Sequence, residues 1–431
     1  MKYSFAFLCK GNVVISNYLF KYIKMKYFVI GLLALIFSSC NEEQQKETVL
    51  KPGTYRAVLD VKDNEKLPFI FRVESTNKLT IFNAEERIEV DEITYRNDSI
   101  FITTPVFEGY IAATFEGNNL KGSFIKESLD RVVPFSAAYD VDVRFPRSKS
   151  TPYSASVEGT WEATFSPDVE DDRYIAKGIF TQVDHFVYGT FRTTTGDYRY
   201  LEGVVEGDIM KLSTFDGAHA FLFTAKVTDS TMQGTFYSGN HWKEPFIAKR
   251  NEYYELPSAN SLTFLKEGYD SIDFSFPDTS DTLISIKDEQ FKDKVVIVQI
   301  MGTWCPNCLD ESKYYADFYK KNSDKDIEFI ALAFEYAKDK ETAYSRINRL
   351  RSKIHIDYPI LLAQYGTSSK TKAQEKLPML NHVLSYPTTI FIDKKGKVRK
   401  IHTGFNGPAT GEKYTEFKAE FESFVTELLN E

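Results

Sequence analysis

The chain has 431 residues, 42% of them hydrophobic and 15% aromatic, with a formal net charge of -8. That length and apolar content suffice for two or more globular cores. A mildly acidic chain without a Lys/Arg run lacks the electrostatic footprint of nucleic-acid binding, and His185, His219, His241, His355, His382 and His402 are scattered without ligand-type spacing.

Residues 1–24 read as an upstream extension from a misassigned start, because Met25 opens a complete export signal by itself. In 25–40, Met25-Lys26-Tyr27 supplies a short basic region. The apolar run from Phe28 to Phe37 follows, and Ser38-Ser39-Cys40 closes the segment. About ten apolar residues are too few to span a bilayer and suit the core of a signal peptide. Small residues before a cysteine resemble a lipobox, in which that cysteine (here Cys40) is acylated and becomes the first residue. Phe37 departs from the usual aliphatic residue, and an uncleaved N-terminal anchor is the alternative. On both readings the bulk of the chain faces an extracytoplasmic space, on the periplasmic or outer-surface side of the cell envelope. Residues 41–50 form a polar tether. Cys9 is then absent from the product, and Cys305 and Cys308 remain as one thiol pair, too few for a disulfide framework.

From 51 to 250 the pattern is mainly period two, rich in Thr, Phe, Tyr and Val and punctuated by glycine, which predicts short strands and tight turns. Gly53-Thr54-Tyr55-Arg56-Ala57 recurs as Gly159-Thr160-Trp161-Glu162-Ala163. Leu120-Lys121-Gly122-Ser123-Phe124 recurs as Met232-Gln233-Gly234-Thr235-Phe236, and Pro134-Phe135-Ser136-Ala137 as Pro245-Phe246-Ile247-Ala248. Three collinear matches predict two related all-β units, 51–145 and 155–250, each sandwich- or barrel-like, or else two halves of one larger closed sheet. The proline- and serine-rich stretch from Phe145 to Ser154 separates them.

A second seam, Glu255 to Asn260, precedes a change to alternating strands and helices over 260–431. Val295 to Met301 and Ile327 to Ala333 read as buried strands. Helices are predicted from Leu309 to Lys320, Lys338 to Lys353, Lys370 to Leu380 and Tyr414 to Leu429. Thr388 to Asp393 and Val398 to His402 read as a hairpin at the sheet's edge. Gly404 to Pro408 reads as a loop before the last helix, either a plain turn or a rim of the site.

Trp304-Cys305-Pro306-Asn307-Cys308 stands where the first of these strands turns into a helix. Unpaired N–H groups and the helix dipole there stabilise a thiolate. A zinc site needs two further ligands at matching spacing and haem attachment needs a histidine after Cys308, where Leu309 stands. With Glu311 three residues later and Tyr386-Pro387-Thr388 leading into a strand, the segment resembles the membrane-tethered TlpA/ResA-like thiol–disulfide oxidoreductases. The resemblance implies a thioredoxin fold for 260–431, with Cys305 as the solvent-facing nucleophile and Cys308 as the shielded resolving thiol. It implies a cis Tyr386-Pro387 bond facing the pair, where Tyr386 pairs with a substrate strand; a turn proline is the alternative. Trp304 packs beside the site or belongs to ordinary core. Pro306 pre-sets the helix turn, and Pro306-Asn307 offers no charge to depress the Cys305 pKa. Glu311 exchanges protons with Cys308, or is a solvated helix carboxylate; Gln299, where many thioredoxins carry aspartate, cannot ionise.

The resulting expectation is a lipid-anchored thiol–disulfide oxidoreductase without cofactor or metal. Its partners are cysteine-containing exported proteins and a membrane electron donor or thioredoxin-like reductant. Reduction is the direction implied by resemblance, serving cytochrome c maturation or repair of unwanted disulfides. Two other readings stay open: a binding lipoprotein whose β region carries the function, and a peroxide reductase, although Met301 to Cys305 lacks the usual peroxidatic pattern.

Overall fold

In the computed structural model of the protein, residues 48–146, 155–367 and 369–431 are described. The export signal, Cys9, Cys40 and seam residues 147–154 lie outside them. Among the described residues no helix is long and apolar enough to cross a membrane.

The first β unit contains β1 (Gly53–Asp60), β2 (Lys66–Ser75), β3 (Lys78–Asn83), β4 (Glu86–Val90), β5 (Glu92–Arg96), β6 (Ser99–Thr103), β7 (Tyr110–Glu116), β8 (Asn119–Lys126) and β9 (Arg131–Tyr139). They form one sheet, ordered β4-β3-β2-β1-β9-β8-β7-β6-β5, which stays open between β4 and β5. The second unit contains β10 (Gly159–Phe165), β11 (Tyr174–Val183), β12 (Phe186–Thr193), β13 (Gly196–Asp197), β14 (Leu201–Glu206), β15 (Ile209–Phe215), β16 (Ala220–Val227), β17 (Thr231–Ser238) and β18 (Trp242–Arg250). Here an extra β11–β12 pairing closes the sheet into a barrel, with the short β13 appended to β12.

Side chains alternate across each sheet, so Tyr55, Ala57 and Leu59 of β1 face one core as Trp161, Ala163 and Phe165 of β10 face the other. The sequence repeats fall at equivalent ladder positions. Ala57 opposes Ala137 and Leu59 opposes Phe135; in the second unit Ala163 opposes Ala248 and Phe165 opposes Phe246. Gly234 is required in this pattern because a Cβ there would sit 2.6 Å from the Phe246 ring.

The open sheet is covered by its neighbour. Phe215, at the end of β15, stacks on Phe69 with ring centroids 4.3 Å apart and meets Phe124 edge-on at 5.0 Å. Its N–H donates to Asn83 Oδ1 at 3.2 Å, and its carbonyl accepts from Asn83 Nδ2 at 2.9 Å. Ala220, Leu222 and Tyr237 of the second unit complete the same core.

After a small hairpin of β19 (Ser275–Pro277) and β20 (Leu283–Ser285), the C-terminal part contains β21 (Val295–Met301), α1 (Pro306–Lys321), β22 (Ile327–Phe334), α2 (Lys340–Ile354), β23 (Ile360–Gln364), α3 (Lys370–Lys376), β24 (Thr388–Ile392), β25 (Val398–Thr403) and α4 (Glu412–Asn430). The sheet order is β23-β22-β21-β24-β25, with β21 parallel to β22 and antiparallel to β24. This is the thioredoxin-like α/β fold expected after an all-β region. Every residue of β21 is buried, which accounts for its unbroken apolar run. The helix predicted to reach Leu380 stops at Lys376, because Pro378 disfavours helical backbone at Leu377. On α4, Phe417, Phe421, Val425 and Leu428 are buried.

Because Phe215 is fully buried in a core shared by both β units, Phe215→Ala is expected to cost about 3–5 kcal/mol in chemical denaturation. A loss below about 1 kcal/mol would show that the first sheet does not need this cover.

Candidate active site

The loop leaving β21 is pinned before the cysteines begin. Thr303 donates its N–H and its hydroxyl to the two carboxylate oxygens of Glu335, both at 2.7 Å. Trp304 Nε1 donates to Phe334 O at 2.9 Å. Glu335 is fully buried, and burial pushes its carboxyl pKa up against the pull of the Thr303 bonds. Trp304 lies edge-on to Tyr386, with ring centroids 5.5 Å apart.

Cys305 is the N-cap of α1, in extended backbone, and its Sγ accepts from the Cys308 N–H at 3.3 Å. The cap sulfur thereby partners an N–H of the first helical turn that has no intrahelical acceptor. Pro306 occupies the first helical turn, where the N–H it lacks has no intrahelical partner to lose. Cys308 is completely enclosed, and both cysteines are free thiols. Burial pushes the Cys308 thiol well above its ordinary pKa, and the neighbouring Cys305 adds to that. The Tyr386-Pro387 bond is cis, and Tyr386 O lies 3.4 Å from Cys305 Sγ.

Beneath the pair lies Glu311, with no solvent exposure at all. Its carboxylate accepts from Gln299 Nε2 at 2.8 Å, Thr389 Oγ1 at 3.0 Å and Tyr315 OH at 3.1 Å. Burial outweighs these three bonds and raises its pKa to about 7. The solvated-carboxylate alternative therefore does not hold. Gln299 also reaches the Cys308 carbonyl, at 3.5 Å, so the neutral side chain in the strand links the acid to the helix that carries the thiol.

One expectation is corrected. Cys305 is not openly solvent-facing: only 7% of it is exposed. Pro306-Asn307 carries no side-chain charge, as expected, but a cation from the second β unit lies beside the motif. Arg199, between β13 and β14, donates through Nη1 to Pro306 O at 3.2 Å and pairs with Asp310 of α1. It also pairs with Glu86 of β4 and, at 3.2 Å through Nε, with Asp216. Sequence reasoning missed Arg199 and Glu335, since an arginine in a β-rich stretch and a glutamate after a strand both read as ordinary surface charge. The Gly404-to-Pro408 loop does rim the site: Gly404 N–H donates to Pro387 O at 2.9 Å.

The family described as Redoxin matches residues 266–416. The thioredoxin-like protein YneN of Bacillus subtilis (strain 168) is 28% identical over 140 residues, which is 32% of this chain and 73% of that protein. Thiol-disulfide oxidoreductase ResA of Bacillus thuringiensis subsp. konkukian is 29% identical over 131 residues, 30% of this chain and 66% of that protein. The C-terminal domain is a redoxin domain of the ResA-like thiol–disulfide oxidoreductase type. A solved thiol:disulfide interchange protein of the thioredoxin family from Chlorobium tepidum TLS aligns with a TM-score of 0.29 at 19% identity, covering 38% of this chain and 98% of that one. The matches span about two thirds to three quarters of YneN and ResA.

Within the redoxin domain, burial of Glu311 has a thermodynamic consequence. Its pKa is about 7 when folded and 4.5 ordinarily. Below pH 4.5 the carboxyl is neutral in both states; between 4.5 and 7 the unfolded chain ionises first, so native stability falls as pH rises through that window. The loss is on the order of 3 kcal/mol. Glu311→Gln is expected to remove this slope in denaturation measured from pH 4 to pH 8, and an unchanged slope would assign it to another group.

Proposed function

We propose that this protein is a lipid-anchored thiol–disulfide oxidoreductase of an extracytoplasmic space that reduces disulfides of exported proteins through Cys305 and Cys308. The carrying observation is the asymmetry of the couple: Cys305 at a helix N-cap with its sulfur held by an N–H, and Cys308 enclosed behind it, on the same helix as the buried acid Glu311. Resemblance to ResA supports the reducing direction, and the small residues before Cys40 support the anchor.

In the reduced protein the Cys305 thiolate attacks one sulfur of a substrate disulfide. The other substrate sulfur leaves as a thiolate and takes a proton, leaving a mixed disulfide on Cys305. Cys308 then loses its proton toward the Glu311 carboxylate and attacks Cys305 Sγ. The second substrate sulfur departs, and Cys305 and Cys308 end joined. Two electrons have passed to the substrate, and a membrane electron donor or thioredoxin-like reductant must return them. Tyr386 and Pro387 present the backbone on which the substrate strand lies, and Trp304 shields the sulfur from water. Pro306 sets the turn that makes Cys305 a cap.

Cys308→Ser cannot resolve the mixed disulfide. Expressed in cells, it is expected to carry exported proteins as adducts released by a reducing agent. A well-expressed variant with no adduct would remove the reading. Glu311 must be ionised to accept the Cys308 proton, so the resolving step is expected to accelerate as pH rises through about 7. Glu311→Gln should lose that inflection, and a retained one would take Glu311 out of the mechanism.

A further inference from the structure

One turn of the second β unit touches all three loops that bracket Cys305. Ser385, next to Tyr386, donates its hydroxyl to Thr195 O at 2.8 Å. Asn307, between the cysteines, donates its side-chain amide to Asp197 O at 3.1 Å. Gly407 N–H donates to Asp197 Oδ2 at 2.7 Å. The fit is close. A Cβ on Gly404 would sit 2.9 Å from the Thr195 carbonyl carbon, and one on Gly196 would sit 2.2 Å from Asn307 Nδ2. Thr195, in the tight turn between β12 and β13, and Asp197, in β13, thus each offer a backbone carbonyl to the loops beside Cys305, as a bound polypeptide would.

We propose that the turn Thr194–Asp197 is an intramolecular gate over Cys305, lying on the strip a substrate chain would occupy and admitting a protein disulfide only when it lifts. The proposal rests on the oxidoreductase reading and adds how substrates gain access. Attack on a disulfide requires a line of approach to the sulfur, and 7% exposure leaves little of one. The moving part is short, because the turn is anchored just beyond it by Arg199, buried among Glu86, Asp216 and Asp310. A substrate strand can offer its own carbonyls to Ser385 and Asn307. Lifting then exchanges hydrogen bonds instead of losing them, and the gate competes with substrate without abolishing access.

Gly196→Val drives a side chain against Asn307, and Asp197→Ala removes the acceptor of the Gly407 N–H. In the full-length reduced protein, alkylation of Cys305 by iodoacetamide, read by mass spectrometry, is expected to accelerate roughly tenfold in each variant, as for a gate closed about nine-tenths of the time. Reduction of the interchain disulfides of insulin should rise by a similar factor through a lower KM, and exchange with a small aromatic disulfide, which must reach the same sulfur, should rise comparably. Equal alkylation rates in the unaltered chain and in both variants, with native circular dichroism, would overturn the gate. A second measurement leaves the turn intact. In Cys308→Ser with a peptide disulfide-bonded to Cys305, amide exchange over residues 194–197 should accelerate roughly tenfold relative to the free thiol. Unchanged protection there would also overturn it. A chain whose Cys305 alkylates yet exchanges with neither disulfide would sink the oxidoreductase reading and leave the gate standing.

Discussion

Burying ionic charge is costly unless every charge finds a partner, and that constraint is concentrated at Arg199. Its guanidinium is 5% exposed and meets Glu86 of the first β unit, Asp216 of the second and Asp310 of the redoxin domain. Shared among three carboxylates, this one cation ties the three bodies together, and losing it would leave Glu86, Asp216 and Asp310 crowded without their common partner in a dry site. The same residue holds the Pro306 carbonyl inside the Cys-x-x-Cys turn. The β region is therefore mechanically continuous with the reactive loop. Further latches run from α2 to the first unit, where Arg346 pairs with Glu108, Arg349 with Glu92 at 2.9 Å and Lys353 with Asp91 at 3.1 Å.

The reactive couple is built on a contrast of surroundings. Cys305 ends an extended segment and borrows a helix N–H for its sulfur, while Cys308, one turn on, has no solvent and a pKa pushed upward. Burial favours the neutral thiol at Cys308 and the neutral acid at Glu311, with Cys308 holding its proton the more tightly of the two. Gln299 fits this economy of charge: an ionised group in β21 would add a second buried anion beside Glu311, whereas an amide donates to the carboxylate and accepts from Ser312 at 3.0 Å.

Much of the molecule was legible in the chain, for reasons that differ by region. The strands of the redoxin domain were readable because both faces of β21 and β22 are covered, which demands continuous apolar runs. The β units were readable because alternation and three recurring segments reflect equivalent ladder positions, such as Ala57 opposite Ala137 and Ala163 opposite Ala248. Open versus closed sheets were not readable. Closure depends on whether β11 and β12 pair, a match between segments whose local patterns are alike.

By itself the sequence determined the local chemistry: two thiols at a strand-to-helix turn and an acid one helical turn away, spaced closely enough for helix geometry to relate them, whereas Pro387, 79 positions beyond Cys308, was placed by resemblance alone. Only the tertiary structure decided the setting of that chemistry. The Glu335 anchor, the Arg199 cluster and the turn over Cys305 join residues far apart along the chain, 111 positions in the case of Arg199 and Asp310. No local propensity encodes such meetings; they arise when separate hydrophobic surfaces pack and carry their polar groups into contact.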